Sequence, residues 1–472
     1  MEQYTVTFLP DGVSLRVPAG TTLLQAQIEA GLAPNAPCGG NGTCGKCRVT
    51  LNGREVLACQ TPVTEDMTVY TATEGPAKIL TGGIGAHFTP DGDHRYALAF
   101  DLGTTTVVAY LLDGKTGDLL AQASRRNPQS QFGADVISRI QYALKENSEA
   151  VSGCIRKTLE ELAAEVADLV GIPLSDVTVA AIVGNTAMHH LLLGIDPRPL
   201  VTPPYMPAVS QAQQRGIARI LPNIAGFVGG DTVGCMVATQ FDQLEDLTLL
   251  IDIGTNGEMV LGNKHRRIAC STAAGPAFEG AKISCGMSGT AGAVDHVFLE
   301  NGNLTYHVIG DREPLGLCGS GLLDLVAALL DLGVIDKTGR MKGKSYTLCR
   351  NVTLTQKDVR EVQLAKAAIQ AGIELLAEEM SVTLTDIRRV YLAGAFGNFM
   401  NPASACRIGM IPPVLPDRIQ PIGNAAGEGA KICALSREAF ARSGQLATET
   451  EFLELASLPQ FQSRYIAALN FP

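Results

Sequence analysis

The chain has 472 residues, 46% hydrophobic and 18% charged, which predicts about three folded domains and excludes a disordered protein. A net charge of −10 argues against binding to nucleic acid or to an anionic membrane, because such proteins usually carry a basic patch. No apolar run reaches ~18 residues without a charge, and the N-terminus alternates like a strand instead of a signal peptide. We therefore expect a cytoplasmic protein whose 12 cysteines stay reduced.

The first 75 residues contain a compact group of cysteines. A strand, a turn at Pro10–Gly12, a second strand and a helix near residues 22–30 come first. Four cysteines then follow with the spacing C-x5-C-x2-C-x11-C: Cys38, Cys44, Cys47 and Cys59. The glycines between them permit backbone at positive φ and leave N–H groups free to bond sulfur. Asn52-Gly53 is a favoured hairpin turn, which would fold Cys59 back beside Cys47.

This pattern resembles that of plant-type 2Fe–2S ferredoxins, with the first gap one residue longer and a short last gap. The resemblance implies a β-grasp ferredoxin domain over residues 1–75 with the four cysteines as iron ligands. The alternatives are unliganded cysteines or a structural zinc site, but zinc sites prefer two closely spaced cysteine pairs, and only Cys44 and Cys47 form one. Residues 76–95 contain several glycines without periodicity, which predicts a partly flexible linker that lets the ferredoxin head move.

An internal repeat begins after the linker. Tyr96–Thr106 is an apolar strand that ends in Asp101 and a Gly-Thr turn, and two further strands follow. The segment that starts at Thr248 repeats this design around Asp252. The glycines let backbone N–H groups approach phosphate oxygens, and the threonines add donors. We expect phosphate contacts from Gly103, Thr104, Thr105, Gly254, Thr255 and Asn256, while Asp101 and Asp252 organise Mg²⁺ through water.

The paired hairpins resemble the phosphate-binding elements of the superfamily that contains sugar kinases, heat-shock chaperones and actin. Residues 180–190 fall where the first connecting segment belongs, Val390–Asn398 is similar to the adenosine motif, and Gly423–Gly429 opens the second connecting helix. The resemblance implies an α/β fold of two ribonuclease-H-like lobes, residues 96–240 and 241–472, with ATP between them. It places Gly394, Ala395 and Phe396 near the adenosine.

A ferredoxin head on such an ATPase resembles the reductive activators of corrinoid proteins. The resemblance covers nearly the whole chain and includes the segment Gly275–Gly280. We therefore expect Gly275 in the nucleotide site. Glu279 is expected to orient a water, to contact the purine or to cap the local structure. It implies ATP-dependent reduction of a Co(II) corrinoid to Co(I) in a methyltransferase system, with a low-potential donor upstream. Many members carry a substantial middle domain, where this chain has only the linker. A homodimer is compatible with the sequence.

Two other functions fit some of these features. An activator of a radical dehydratase couples the same type of nucleotide cleft to an iron–sulfur electron, although such activators lack a ferredoxin head. A redox-sensing protein that uses ATP to hold a partner is the second alternative. A plain sugar kinase would have no use for the head.

Overall fold

The N-terminal part is a five-stranded mixed sheet packed against one helix. The computed structural model describes residues 2–10, 12–32, 34, 36, 40, 42, 45–71, 82–84, 88–133, 135–254, 256–350 and 352–472. The elements of the head are β1 (Gln3–Leu9), β2 (Val13–Pro18), α1 (Leu23–Glu29), β3 (Arg48–Leu51), β4 (Arg54–Leu57) and β5 (Met67–Thr71). The strand order is β2-β1-β5-β3-β4, with β1 parallel to β5. This is the expected β-grasp arrangement.

The hairpin of β3 and β4 has the predicted turn. Leu51 pairs with Arg54, and Asn52 and Gly53 both have positive φ, of 51° and 75°. Two consecutive residues at positive φ define a turn whose twist matches that of the strands. The sequence therefore predicted correctly how the chain returns from Cys47 towards Cys59.

The first lobe is built on a six-stranded sheet in the order β10-β11-β9-β6-β7-β8. Strands β6, β7 and β8 are antiparallel, and β9 lies parallel to β6. One turn of π-helix, Ala143–Asn147, separates the first two helices of the lobe. Its elements are β6 (Tyr96–Leu102), β7 (Thr106–Asp113), β8 (Leu119–Arg126), α2 (Val136–Tyr142), α3 (Ser148–Val170), β9 (Val177–Gly184), α4 (Thr186–Leu193), β10 (Gln213–Arg215), β11 (Ala218–Ile220) and α5 (Gly230–Ala238).

The second lobe repeats this topology in the sheet β21-β20-β12-β13-β14-β22. Its strands are β12 (Thr248–Ile253), β13 (Gly257–Gly262), β14 (Arg267–Thr272), β15 (Ala293–Glu300), β16 (Asn303–Val308), β17 (Gly316–Leu317), β18 (Ser345–Cys349), β19 (Val352–Thr355), β20 (Arg389–Ala393), β21 (Ile419–Gly423) and β22 (Thr450–Phe452). Its helices are α6 (Gly319–Asp331), α7 (Gln356–Glu379), α8 (Gly394–Phe399), α9 (Pro402–Arg407), α10 (Ala425–Leu435), α11 (Arg437–Glu449) and α12 (Phe461–Ala467). Among the described residues, no helix has the length and apolarity needed to cross a bilayer.

The two sheets confirm the predicted repeat, because β12, β13 and β14 are antiparallel and β20 lies parallel to β12, as β9 does to β6. Helices α5 and α10 pack against each other between the sheets and share a core with both. The sequence analysis had placed the first connecting segment at residues 180–190. In the structure, α5 forms the interlobe pair with α10, and α4 packs on α2 and α3 instead.

The described part of the linker, residues 82–84 and 88–95, contacts the ATPase body. The Ile84 N–H donates to Ile422 O at 2.9 Å, and the Asp91 N–H donates to Leu435 O at 2.9 Å. The Arg437 guanidinium also pairs with Asp91, at 3.5 Å. The composition of the linker could not reveal these contacts, because the backbone partners come from a distant part of the chain. Its partial flexibility stays a prediction.

Candidate functional site

A deep cleft of about 2000 Å³ lies between the two lobes and extends to the ferredoxin head. The turns of the two repeated hairpins and the N-terminal end of α8 line it. Of the residues predicted for the nucleotide site, the following line this one cleft: Asp101, Gly103, Thr104, Thr105, Asp252, Gly254, Asn256, Gly275, Glu279, Gly394, Ala395 and Phe396. Thr255 lies outside the described residues. The fold thus brings together residues that are up to 295 positions apart.

The turn of the first hairpin is held by side chains from two other elements. The Gly103 N–H donates to Thr106 O at 3.0 Å, and a Cβ at Gly103 would lie 2.8 Å from that oxygen. Asn127 Nδ2 donates to Gly103 O at 2.8 Å, and Asn185 Nδ2 donates to Thr104 Oγ1 at 2.9 Å. Only glycine permits this close approach, and the two asparagines fix the threonine hydroxyl and the turn in advance of any ligand.

Four carboxylates form the acidic floor of the cleft: Asp101, Asp231, Asp252 and Glu258. Each keeps some surface open to the cleft but lies deep below the molecular surface. Burial, with smaller contributions from the neighbouring carboxylates, raises the pKa of Asp252 to about 7 and that of Asp101 to about 6. Burial likewise raises the pKa of Asp231 to about 6 and that of Glu258 well above its ordinary value. Clustered carboxylates of this kind favour a bound cation, which relieves their repulsion.

The lining of the cleft also contains an aromatic stack. The rings of Phe278 and Phe396 lie parallel, with centroids 4.7 Å apart. Gly394 precedes this stack at φ +80°, and a Cβ there would lie 2.6 Å from Asp252 Oδ1. The glycine turn after β20 therefore contacts the end of β12 directly, so the expected purine wall and the carboxylate floor are one connected structure. Glu279 is exposed at the rim of the same cleft.

Two predicted cluster ligands are described, and both are buried in the head. Cys47 is 4% exposed and Cys59 is 7% exposed, at the two ends of the hairpin β3–β4. The Ala58 N–H donates to Cys47 O at 2.7 Å, which holds the two ends together. Cys38 and Cys44 lie outside the described residues. Gly40, Gly42 and Gly45 of this loop have positive φ, as the predicted cluster loop requires.

The cluster loop lies next to the nucleotide-binding body. Lys46, next to Cys47, donates from Nζ to Gly286 O in the second lobe. Gly45, Lys46 and Cys59 line the same cleft as the two hairpins. The head therefore presents its cysteine loop to the body. A buried cysteine hairpin with left-handed glycines fits an iron–sulfur cluster, because it supplies both thiolates and accessible backbone N–H groups.

Sequence reasoning missed several residues that complete the site. Asp231 and Glu258 were not assigned a role, although Asp231 ends the glycine-rich segment Gly226–Asp231. Asn424 was expected only as part of the start of the second connecting helix, but its Nδ2 donates to Asp101 Oδ2 at 2.7 Å. The Gly-Asn pair at a strand end was a signal for a cap at a helix N-terminus, but its contact with Asp101 depends on the tertiary fold.

Comparison with known protein families finds three consecutive matches. Residues 3–74 match a model described as a 2Fe–2S iron–sulfur cluster binding domain. Residues 96–244 match the RACo middle region, and residues 246–472 match the C-terminal domain of RACo, the ASKHA domain. The middle-region model therefore falls on the residues that form the first lobe. A 2Fe–2S head and an ATP-binding body of the actin-like type are both supported by these matches.

Individual relatives are similar over nearly the full length. The chain is 33% identical to the corrinoid activation enzyme RamQ of Eubacterium limosum, over 93% of this chain and 94% of that protein. It is 25% identical to the [Co(II) methylated amine-specific corrinoid protein] reductase of Methanosarcina barkeri, over 80% and 77%. A solved structure of a reductive activator for corrinoid, iron–sulfur protein matches with TM-score 0.72 and 28% identity, over 99% of this chain and 98% of that one. The RamQ alignment spans 562 residues, so that relative carries residues without a counterpart here.

Proposed function

Because this chain belongs to the family of reductive activators of corrinoid proteins, we propose that it uses ATP to transfer one electron from a 2Fe–2S cluster to a Co(II) corrinoid. The electron acceptor is the corrinoid protein of a methyltransferase system, which is returned to Co(I). The observation that carries the proposal is the position of the cysteine loop, which lies on the same cleft as the paired phosphate-binding hairpins. A cluster held there lies beside the cleft that would close around ATP.

Energetic coupling is required because Co(I) is a strong reductant. Plant-type 2Fe–2S centres have potentials near −400 mV, and for one electron each 59 mV uphill reduces the equilibrium constant about tenfold. A gap of 100 mV therefore corresponds to ~2.3 kcal/mol. Closure of the lobes around ATP supplies a free energy of this order if the corrinoid protein binds more tightly to one conformation of the lobes than to the other. Electrons balance when a low-potential donor reduces the cluster by one electron and the cluster reduces Co(II) by one.

Mg²⁺ fits the acidic floor of the cleft. Among the described residues, no three His, Cys, Asp or Glu side chains converge closely enough to hold a metal ion directly. Mg²⁺ keeps several of its waters and binds through one or two carboxylates plus substrate phosphates. We therefore assign Asp101 and Asp252 as the groups that hold hydrated Mg²⁺ with the phosphates of ATP. A cytoplasmic location suits the many cysteines, since thiols stay reduced there.

The test is an anaerobic reduction assay with the complete chain. The reconstituted protein is mixed with a Co(II) corrinoid protein, a chemical reductant and Mg-ATP, and the Co(I) absorption band is followed. Co(I) that forms with ATP but not without it supports the proposal. Equal Co(I) formation in both conditions contradicts it. A loaded cluster and bound ATP, but no Co(I) with several corrinoid proteins, would favour the dehydratase-activator or redox-sensing function.

A further inference from the structure

The linker is bound to the ATPase body at a backbone site that we call the linker anchor, residues 82–84. The Asn424 N–H donates to Gly82 O at 3.0 Å, and the Ile84 N–H donates to Ile422 O at 2.9 Å, as in a short antiparallel bridge. Between them, the Gly83 N–H donates to Glu428 Oε1 at 3.1 Å. The linker anchor thus uses three successive residues to bind the end of β21 and the start of α10.

The body residue at the centre of this contact also reaches the acidic floor. Asn424 caps α10 with its Oδ1, which accepts from the Gly427 N–H at 2.9 Å. Its Nδ2 donates to Asp101 Oδ2 at 2.7 Å and to the Tyr110 hydroxyl oxygen at 3.2 Å. The backbone of Asn424 therefore contacts the linker while its side chain contacts a carboxylate of the nucleotide site. Two hydrogen bonds connect the linker to Asp101.

A second path runs through α10. Glu428, which accepts from the linker anchor, also pairs with Lys431 at 2.7 Å. The Lys431 ammonium lies over the ring of Tyr110, 5.0 Å from its centroid. Tyr110 is fully buried on β7, the second strand of the first phosphate-binding hairpin. A shift of the linker anchor therefore reaches Asn424 by two routes. One is the backbone N–H of Asn424, and the other leads through Glu428, Lys431 and Tyr110 to its side chain.

We propose that Asn424 is a positioning residue that couples docking of the linker anchor to nucleotide binding at Asp101. The inference rests on the proposed function only in requiring that the cleft binds nucleotide. Coupling of this kind is reciprocal, so a nucleotide that orders Asp101 also holds the linker, and a docked linker strengthens nucleotide binding. Because the linker leads directly into the ferredoxin head, the nucleotide would control where the cluster is held.

Two adjacent glycines give a matched pair of variants. A Cβ at Gly83 would lie 2.5 Å from Ile422 O, so Gly83→Ala must displace the linker anchor. A Cβ at Gly82 meets no atom of the described residues within 4 Å, so Gly82→Ala adds the same methyl group without displacing any of them. We expect Gly83→Ala to bind Mg-AMP-PNP roughly tenfold more weakly than Gly82→Ala, because about one net hydrogen bond is lost at the site. Calorimetric titration of the full chain measures this ratio.

Hydrogen exchange of the linker peptide provides a second readout. In the wild type and in Gly82→Ala, Mg-AMP-PNP should slow exchange at residues 82–84, and in Gly83→Ala exchange should be fast with or without nucleotide. Equal nucleotide affinity of the two variants would overturn the coupling. So would hydrogen exchange at residues 82–84 of the wild type that is the same with and without Mg-AMP-PNP. A wild type that binds no nucleotide at all would overturn the proposed function as well, so the two failures are distinct.

A double-mutant cycle tests the role of Asn424 itself. Asn424→Ala removes the bond to Asp101 but retains the backbone N–H that contacts the linker. In this background, Gly83→Ala should cause a smaller further loss of nucleotide affinity than in the wild type, because the bond to Asp101 is already lost and only the path through Lys431 and Tyr110 remains. Additive losses would show that the linker acts elsewhere and would refute the positioning role. The cluster absorption spectrum should be the same in all four proteins.

Discussion

Replacing Asp252 with asparagine should stabilise the nucleotide-free protein in a pH-dependent way. Burial and the nearby carboxylates raise the pKa of Asp252 from its ordinary value of 3.8 to about 7. A tenfold change in proton affinity corresponds to about 1.4 kcal/mol, so Asp252 lowers the free energy of unfolding by roughly 4 kcal/mol at pH 8 and by roughly 2 kcal/mol at pH 5.5. Because the pKa is raised, Asp252 costs no stability below pH 3.8, and its cost grows as the pH rises from 3.8 through 7. Asparagine removes this dependence.

The experiment compares apparent melting temperatures of wild type and Asp252→Asn between pH 5.5 and pH 8. Circular dichroism is suitable, because the chain has no tryptophan for fluorescence. The stabilisation by Asp252→Asn should be larger at pH 8 by roughly 2 kcal/mol, which corresponds to a few degrees. Asp168→Asn, an exposed site on α3, removes the same charge and should follow the wild type. Parallel profiles for all three proteins would refute the argument that burial of Asp252 is costly.

Three further substitutions test the other parts of the molecule. Cys59→Ser should abolish the absorption and EPR signals of the cluster with ATP binding retained, while Cys154→Ser, outside the head, should keep them. Gly394→Ala should weaken Mg-ATP binding, measured by titration, at least tenfold. The added Cβ would lie 2.6 Å from Asp252 Oδ1, and the residue has a φ of +80° that alanine rarely adopts. Unchanged affinity would argue against the predicted purine wall. Arg219→Met should lower the free energy of unfolding by about 2 kcal/mol in thermal melts. The buried guanidinium donates to Cys433 O at 2.9 Å and to Ala434 O at 3.2 Å, at the C-terminal end of α10. An unchanged free energy of unfolding would refute this role.

The sequence predicted local features well because they depend on short segments. The hairpin turn at Asn52-Gly53 and the repeated Asp-x-Gly motif each follow from a few adjacent residues, and the structure has both. The docked linker and the contact of Asn424 with Asp101 were not predictable in this way. They join residues more than 320 positions apart, and nothing in either segment marks its partner. Propensity describes what a segment can do alone, whereas these contacts are set by the packing of the two lobes.

The seam between the lobes is a close contact of two helices, α5 and α10. Helices α5 and α10 meet through glycines: a Cβ at Gly429 would lie 2.1 Å from Gly234 O, and one at Gly234 would lie 2.9 Å from Ala426 O. At these glycines the two backbones touch without intervening side chains, so a change in the angle between the helices disturbs little packing at this point. The first turns of both helices lie at the cleft, where Asp231 and Asn424 contribute to its lining. We therefore expect a ligand that draws the two hairpins together to rotate the lobes about α5 and α10, with the linker anchor close to the axis because it is bound at the start of α10.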